Sequence, residues 1–311
     1  MPGFRGRHII SIKDFSKDDL LFLMQRARAM QKDARPDLLA GKVLGSLFFE
    51  PSTRTRLSFE SAMSKLGGRV VGFADAGVSS QKKGETLADT IRMVDDYADA
   101  IVMRHPIEGA ARHASEVSRV PIINGGDGAN QHPTQTFLDL FTIMETQEGF
   151  PNDAQKTLNV CFAGDLKYGR TVHSLVIALA HFNTRIFFLS PPALAIPRHY
   201  LAYLDERQIA YSEHRELAEI VAELDILYAT RIQAERFPDP VEYERVRHAY
   251  VLRAEMFDGV RKNLRILHPL PRVDEVDTSV DATPYAYYFQ QAANGIPVRQ
   301  ALLALVLGAI E

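Results

Sequence analysis

The feature that most narrows what this chain can fold into is a repeated pairing of two kinds of segment. A short stretch of uninterrupted apolar residues is followed by a longer stretch with helical periodicity. The apolar stretches are VLGSLFF (43–49), RVVGF (69–73), DAIVM (99–103), LNVCFAG (158–164), RIFFLS (185–190), DILYAT (225–230) and LRILHPL (264–270). They do not alternate polar with apolar, so both faces of each strand are buried. That is the signature of parallel sheets covered by helices on both sides. Between them, Ser16 and Asp19 have capping-box spacing ahead of Leu20, Leu23, Ala27 and Met30. Helices are also predicted over 56–66, ending at Gly67 and Gly68, and over 86–97, 136–147, 169–182 and 216–224. The glycine-rich segment 124–135 reads as a loop. A length of 311 residues is enough for two cores. The expected fold is α/β: two doubly wound parallel-sheet domains with a cleft between them. Residues 1–135 with 294–311 form one domain and 136–293 the other, and a C-terminal helix over 297–310 packs back on the first.

In such folds ligands bind beyond the carboxyl ends of strands, and the unusual polar residues lie in those loops. Ser52, Thr53, Arg54, Thr55 and Arg56 follow the first apolar stretch and open a helix. A helix N-terminus carries unpaired N–H groups and partial positive charge, which suits a phosphate. Capping accounts for one hydroxyl of the cluster and leaves the rest unexplained. Arg104 and His105 end another strand, and His132 and Gln135 sit at the proposed domain junction. A lone histidine is more often a packing residue, but this one stands in a polar, glycine-rich loop. Arg170 at a helix start and Arg231, Gln233 and Arg236 in the segment TRIQAER add anion donors, although a solvated surface explains some of them. Ser79, Lys82 and Lys83, taken alone, read as a solvated turn. The segment GDLKYGR lacks the spacing and the acidic partner of a dinucleotide fingerprint, so no cofactor is expected. No metal-ligand spacing occurs. The net charge of −3 argues against nucleic-acid binding, and the apolar run 301–310 is too short to span a bilayer. The single cysteine, Cys161, and the absence of an apolar leader at the N-terminus fit a cytoplasmic protein. The site is rich in anion donors and has no nucleophile of its own. It suits substrates that carry negative charge and supply their own nucleophile.

The segments FFEPSTRTRLSFESAM, KKGETLADT, DAIVMRHPIEGAA, GDGANQHPTQTFLDLFTI, GDLKYGRTVHSL, LYATRIQAER, HPLPRVDEV and YFQQAANGIPVRQALL together resemble the aspartate/ornithine carbamoyltransferase family over essentially the whole chain. The S-T-R-T and H-P-T-Q motifs mark the superfamily. The H-P-L-P-R loop, without the cysteine usual in ornithine enzymes, points to the aspartate branch. The resemblance implies transfer of a carbamoyl group from carbamoyl phosphate to the amine of L-aspartate, an early step of pyrimidine synthesis, with ornithine as the alternative acceptor. It implies that Ser52, Thr53, Arg54 and Thr55 cradle the phosphate. Thr55, Arg104 and His132 then bind the carbonyl oxygen, Gln135 the amide, and Leu270 and Pro271 present backbone carbonyls. Arg170, Arg231 and Gln233 bind aspartate together with Lys83 and Leu270, and Glu50 pairs with Arg170 and Arg236 in domain closure. Ser79 and Lys83 come from the adjacent subunit of a homotrimer with shared active sites, and regulatory chains are possible further partners.

Overall fold

The computed structural model describes residues 3–75, 84–153, 155–232 and 250–311. The chain divides into two compact units, Met1–Phe141 with Asn294–Glu311, and Thr142–Ala293. Each is a parallel sheet with helices between its strands.

In the first unit the strands are β1 (Val43–Phe48), β2 (Arg69–Phe73), β3 (Ala100–His105) and β4 (Ile122–Asp127), in spatial order β2-β1-β3-β4. Every neighbouring pair is parallel. The helices are α1 (Lys17–Lys32), α2 (Thr53–Lys65), α3 (Leu87–Val94), α4 (Ala110–Val117) and α5 (Pro133–Thr146), of which residues up to Phe141 fall in this unit, with α9 (Gly295–Val306) returning from the C-terminus. The capping box of α1 forms as the spacing predicts, with Ser16 and Asp19 each satisfying the other's backbone N–H. All of α9 except Ile296 is buried, and it packs against α1 and α2. A helix apolar on nearly every side needs such enclosure.

The second unit holds β5 (Leu158–Ala163), β6 (Thr184–Leu189), β7 (Ala210–His214), β8 (Ile226–Ala229) and β9 (Arg265–Leu267), in order β7-β6-β5-β8-β9, again all parallel. Its helices include α6 (Arg170–Leu179), α7 (Arg198–Glu206) and α8 (Tyr288–Ala293).

Three local expectations differ from the structure. Strand β2, read as buried on both faces, lies at the edge of its sheet and none of its residues is buried. Asn124 to Asp127 continue β4 instead of opening a loop, because the strand is buried throughout and a bulge between Met103 and His105 lets the glycine pair fit against β3. The segment 216–224 forms two short 3-10 turns, Leu217–Glu219 and Val221–Glu223, instead of a helix. Leu217, Ile220, Val221 and Leu224 still reach the same core cluster, since a three-residue turn also aligns i and i+3. Helices α4, α7 and α8 and strands β4 and β7 went unread, their sequences being too short or too mixed in polarity to show a period.

Candidate active site

Both sheets reverse their strand order once, and the polar loops flank the reversals. In the first sheet the reversal falls between β1 and β3. The register pairs Phe48 with Arg104, so the loop after β1 and the end of β3 leave the same edge side by side. In the second sheet the reversal falls between β5 and β8, which lead to Arg170 and Arg231. Crevices at such points, beyond the carboxyl ends of the strands, are where open α/β sheets bind ligands.

At the first reversal Ser52 caps α2 by its backbone position but makes no side-chain capping bond, and the first turn of α2 holds no acidic residue. Capping therefore does not occupy the Ser52 hydroxyl, and the positive helix terminus is not neutralised locally. Thr53 and Arg54 are exposed, while Thr55 is 6% exposed and lies 3.4 Å, Oγ1 to Nε2, from His132. His132 is itself buried, with Nδ1 3.3 Å from the Thr134 hydroxyl. The Arg104 guanidinium donates through Nε to Glu50 at 3.1 Å. Gln135, in the first turn of α5, donates through Nε2 to Asp139 at 2.8 Å. Thr55, His132 and Thr134 thus form one connected group, with the Arg104–Glu50 pair at the end of the adjacent strand.

The loop carrying His132 is held by a residue that sequence reasoning missed. Asp127 is buried and accepts four hydrogen bonds: from Asn124 Nδ2, the Gln131 backbone, the Gly109 backbone and Asn130 Nδ2. A buried carboxylate satisfied in this way behaves as a rigid hub. The Gln131 side chain then accepts from Ser11 Oγ and the Ile12 backbone, each at 3.4 Å. His105, beside the catalytic candidates in sequence, plays a structural part. Its Nδ1 accepts from the Ile107 backbone at 3.1 Å and its ring packs 5.0 Å from Phe49. Burial holds its pKa below the usual value despite the carboxylates of Glu50 and Asp127.

In the second unit Arg170 is the first residue of α6 and half-buried. The loop before it is fixed by His173, whose ring meets the Leu166 carbonyl at 2.8 Å through Nε2 and stacks 4.4 Å from Tyr200. Burial lowers the His173 pKa to about 4, against the raising effect of the Leu166 bond and helped by the charge of His199. The ring is therefore neutral at neutral pH, and Nε2 carries the proton it donates. Arg231 follows Thr230, whose hydroxyl donates to the Ala163 carbonyl and accepts from the Asp165 backbone, both at 3.1 Å. This laces the loop after β5 to the loop after β8. Gly164, at φ +109°, permits the approach: a Cβ there would lie 2.2 Å from the Thr230 carbonyl oxygen.

Leu270 has a left-handed backbone, φ +54°, unusual for a non-glycine residue. Its N–H donates to His268 Nδ1 at 2.8 Å, which requires the proton on Nε2, and Nε2 lies 2.7 Å from Glu275. Glu275 also accepts from the Val273 backbone at 3.2 Å, so one carboxylate ties both sides of the turn. Burial pushes the Glu275 carboxyl up, but the hydrogen bond from His268 outweighs it and leaves the pKa below the usual value. Arg272, next in the loop, forms a forked pair with Asp281 at 2.6 and 2.5 Å. The His268–Glu275 latch also went unread: His268 stands in the H-P-L-P-R motif, but its partner Glu275 lies outside it, and nothing in the sequence pairs the two.

Ser79, Lys83, Gln233 and Arg236 lie outside the described residues. Among the described residues there is no group of three or more His, Cys, Asp or Glu side chains able to hold a metal ion, and no helix long and apolar enough to cross a membrane.

Comparison with known proteins adds to this geometry. Residues 7–145 match the family described as aspartate/ornithine carbamoyltransferase, carbamoyl-P binding domain. Residues 156–306 match its Asp/Orn binding domain. The chain is 58% identical over 304 residues to the aspartate carbamoyltransferase catalytic subunit of Vibrio campbellii, covering 97% of this chain and 96% of that one. It is 56% identical over 301 residues to the catalytic subunit of Chromobacterium violaceum, covering 97% and 98%. Among solved structures it resembles the catalytic subunit of M. jannaschii aspartate transcarbamoylase, with a TM-score of 0.89, 50% identity and coverage of 97% and 98%. The aspartate transcarbamoylase of Trypanosoma cruzi in complex with carbamoyl aspartate and phosphate superposes with a TM-score of 0.91 at 38% identity, covering 99% and 98%.

Proposed function

The chain belongs to the aspartate/ornithine carbamoyltransferase family, and on that premise we propose how it works as an enzyme. It transfers the carbamoyl group of carbamoyl phosphate to the amine of L-aspartate, giving N-carbamoyl-L-aspartate and phosphate. Its relatives are named for that reaction, and the similar Trypanosoma cruzi enzyme is titled with carbamoyl aspartate and phosphate bound. The ornithine reading is not favoured. The observation that carries the site assignment is the group at the first strand reversal, where the open N-terminus of α2 adjoins the Thr55–His132 contact and Arg104.

Ser52, Thr53, Arg54 and Thr55 hold the phosphate with hydroxyls, a guanidinium and helix N–H groups, all donors that need no deprotonation. Arg104, Thr55 and His132 face the carbonyl oxygen, and Gln135 the carbamoyl amide. Arg170, Arg231 and Gln233 bind the two aspartate carboxylates, while the carbonyls of Leu270 and Pro271 receive N–H groups of the reactants. Attack by the neutral amine makes a tetrahedral oxyanion. Each preset donor toward that oxygen is worth roughly 3–4 kcal/mol when removed. The departing phosphate takes the amine's proton, so the protein supplies no strong base. Holding both substrates in line removes the entropy of their encounter.

Residues 1–135 with 294–311 carry carbamoyl phosphate and 136–293 carry aspartate. Ser79 and Lys83 reach the site of a neighbouring chain in a homotrimer. The enzyme works in the cytoplasm, and the catalytic-subunit names of its relatives are consistent with regulatory chains as further partners. The deciding assay offers carbamoyl phosphate with either L-aspartate or L-ornithine. Turnover of aspartate alone is expected, and turnover of ornithine would overturn the reading.

A further inference from the structure

Gln135 is a primary amide, and its two ends are chemical opposites: Nε2 donates and Oε1 accepts. Which end meets a ligand decides what the site can recognise. The neighbour that settles the matter is Asp139, one helical turn along α5 and fully buried. A carboxylate only accepts, so it takes the Nε2 end of Gln135, at 2.8 Å, and Oε1 turns the other way. Swapping the ends would set two acceptors face to face in a buried position.

A buried carboxylate needs a counter-charge. Arg299 on α9 is a buried cation whose charge Asp139 feels. Its guanidinium is buried, 5.0 Å over the Phe59 ring of α2, and fits where Gly295 has no side chain: a Cβ there would lie 2.1 Å from Nη1. Burial lowers the Arg299 pKa to about 10, and the Asp139 charge opposes that fall. No salt bridge of contact distance is needed for this influence.

We infer that Asp139, backed by the charge of Arg299, is a positioning residue that holds the Gln135 amide with its oxygen toward the ligand and so makes the site select an NH2 group over a methyl group of similar size. The inference rests on the reading that Gln135 meets the carbamoyl amide. The NH2 of carbamoyl phosphate donates to Oε1. The methyl of acetyl phosphate cannot, and leaves that oxygen unsatisfied.

The test measures dissociation constants of carbamoyl phosphate, acetyl phosphate and inorganic phosphate by calorimetry on the full assembled protein. The readout is the ratio of acetyl to carbamoyl phosphate constants. In Asp139→Leu the ratio should fall about tenfold, the size of one buried hydrogen bond, while inorganic phosphate binds as before. In Asp139→Asn, which keeps the volume and guards against a folding failure, the neutral amide tolerates either orientation, and the ratio should fall by a smaller factor. Arg299→Met should lower it in the same direction. Gln135→Met sets the floor. If Gln135→Met leaves the ratio unchanged, the reading of Gln135 itself fails. If Gln135→Met lowers it but Asp139→Asn and Asp139→Leu do not, the positioning inference is overturned and the reading of Gln135 stands. Equal weakening of all three ligands would mean that Asp139 only supports the fold, which also overturns it.

Discussion

Substituting His173 tests how the loop before Arg170 is held. The ring is buried, donates to the Leu166 carbonyl at 2.8 Å and has its pKa lowered to about 4. An unfolded histidine titrates near 6.5, so the unfolded chain binds a proton between those values that the folded chain refuses. Stability from the neutral ring is complete above about pH 6.5 and drains away as pH falls toward about 4. The full gap is worth about 3.4 kcal/mol, of which roughly 2 kcal/mol is lost between pH 7 and pH 5. His173→Gln keeps a side-chain donor but does not titrate. At pH 7 it should be less stable by about 1–2 kcal/mol, for the lost stacking on Tyr200 and the poorer fit. At pH 5 that deficit should vanish, because the wild type alone has weakened. Urea unfolding of both proteins at pH 7, 6 and 5 measures the difference directly, and the other titrating groups cancel in the comparison. A deficit that stays constant across this range would refute the claim that a neutral, buried His173 anchors the loop.

Arg54→Ala should lower kcat by about 10²–10³ with a much smaller change in substrate binding, since the guanidinium meets charge that grows on the leaving phosphate; steady-state kinetics with normal kcat would remove Arg54 from that role. Mixing inactive Lys83→Gln chains with inactive Arg54→Ala chains should restore part of the activity, because some hybrid sites then combine intact residues from two chains; no recovery would place the lysine in its own chain's site. Glu275→Gln should raise the KM for aspartate more than it lowers kcat, by loosening the turn that ends at Leu270. Because the Glu275 carboxyl is held below its ordinary value, it should remain an acceptor for His268 and the Val273 backbone until pH falls through that lowered value. A KM unchanged by the substitution would show that the turn does not depend on the latch.

The sequence disclosed those features whose physics is local or periodic. Strands buried on both faces have to be apolar throughout, so β1, β3, β5 and β8 were legible, and so was the parallel sheet they require. The cluster from Ser52 to Arg56 was legible because three hydroxyls and two guanidinium groups at one helix start exceed what capping uses. The supports of the site were not. Asp127, His268 and Glu275 act through backbone N–H groups, and any residue except proline offers the same donor. Segment 216–224 misled for a related reason, since apolar residues at i, i+3 and i+4 serve two tight turns as well as one helix. Ligand-touching groups must match the chemistry of a substrate, which restricts them to few residue types and lets them stand out. The groups that aim them need only one complementary donor or acceptor at the right place, and the fold supplies that place. Asp139 shows the difference: in sequence it is one polar position on a helix, and only its distance to Gln135 reveals which end of that amide is offered outward. The selectivity of such a site is therefore written partly in residues that never touch the substrate.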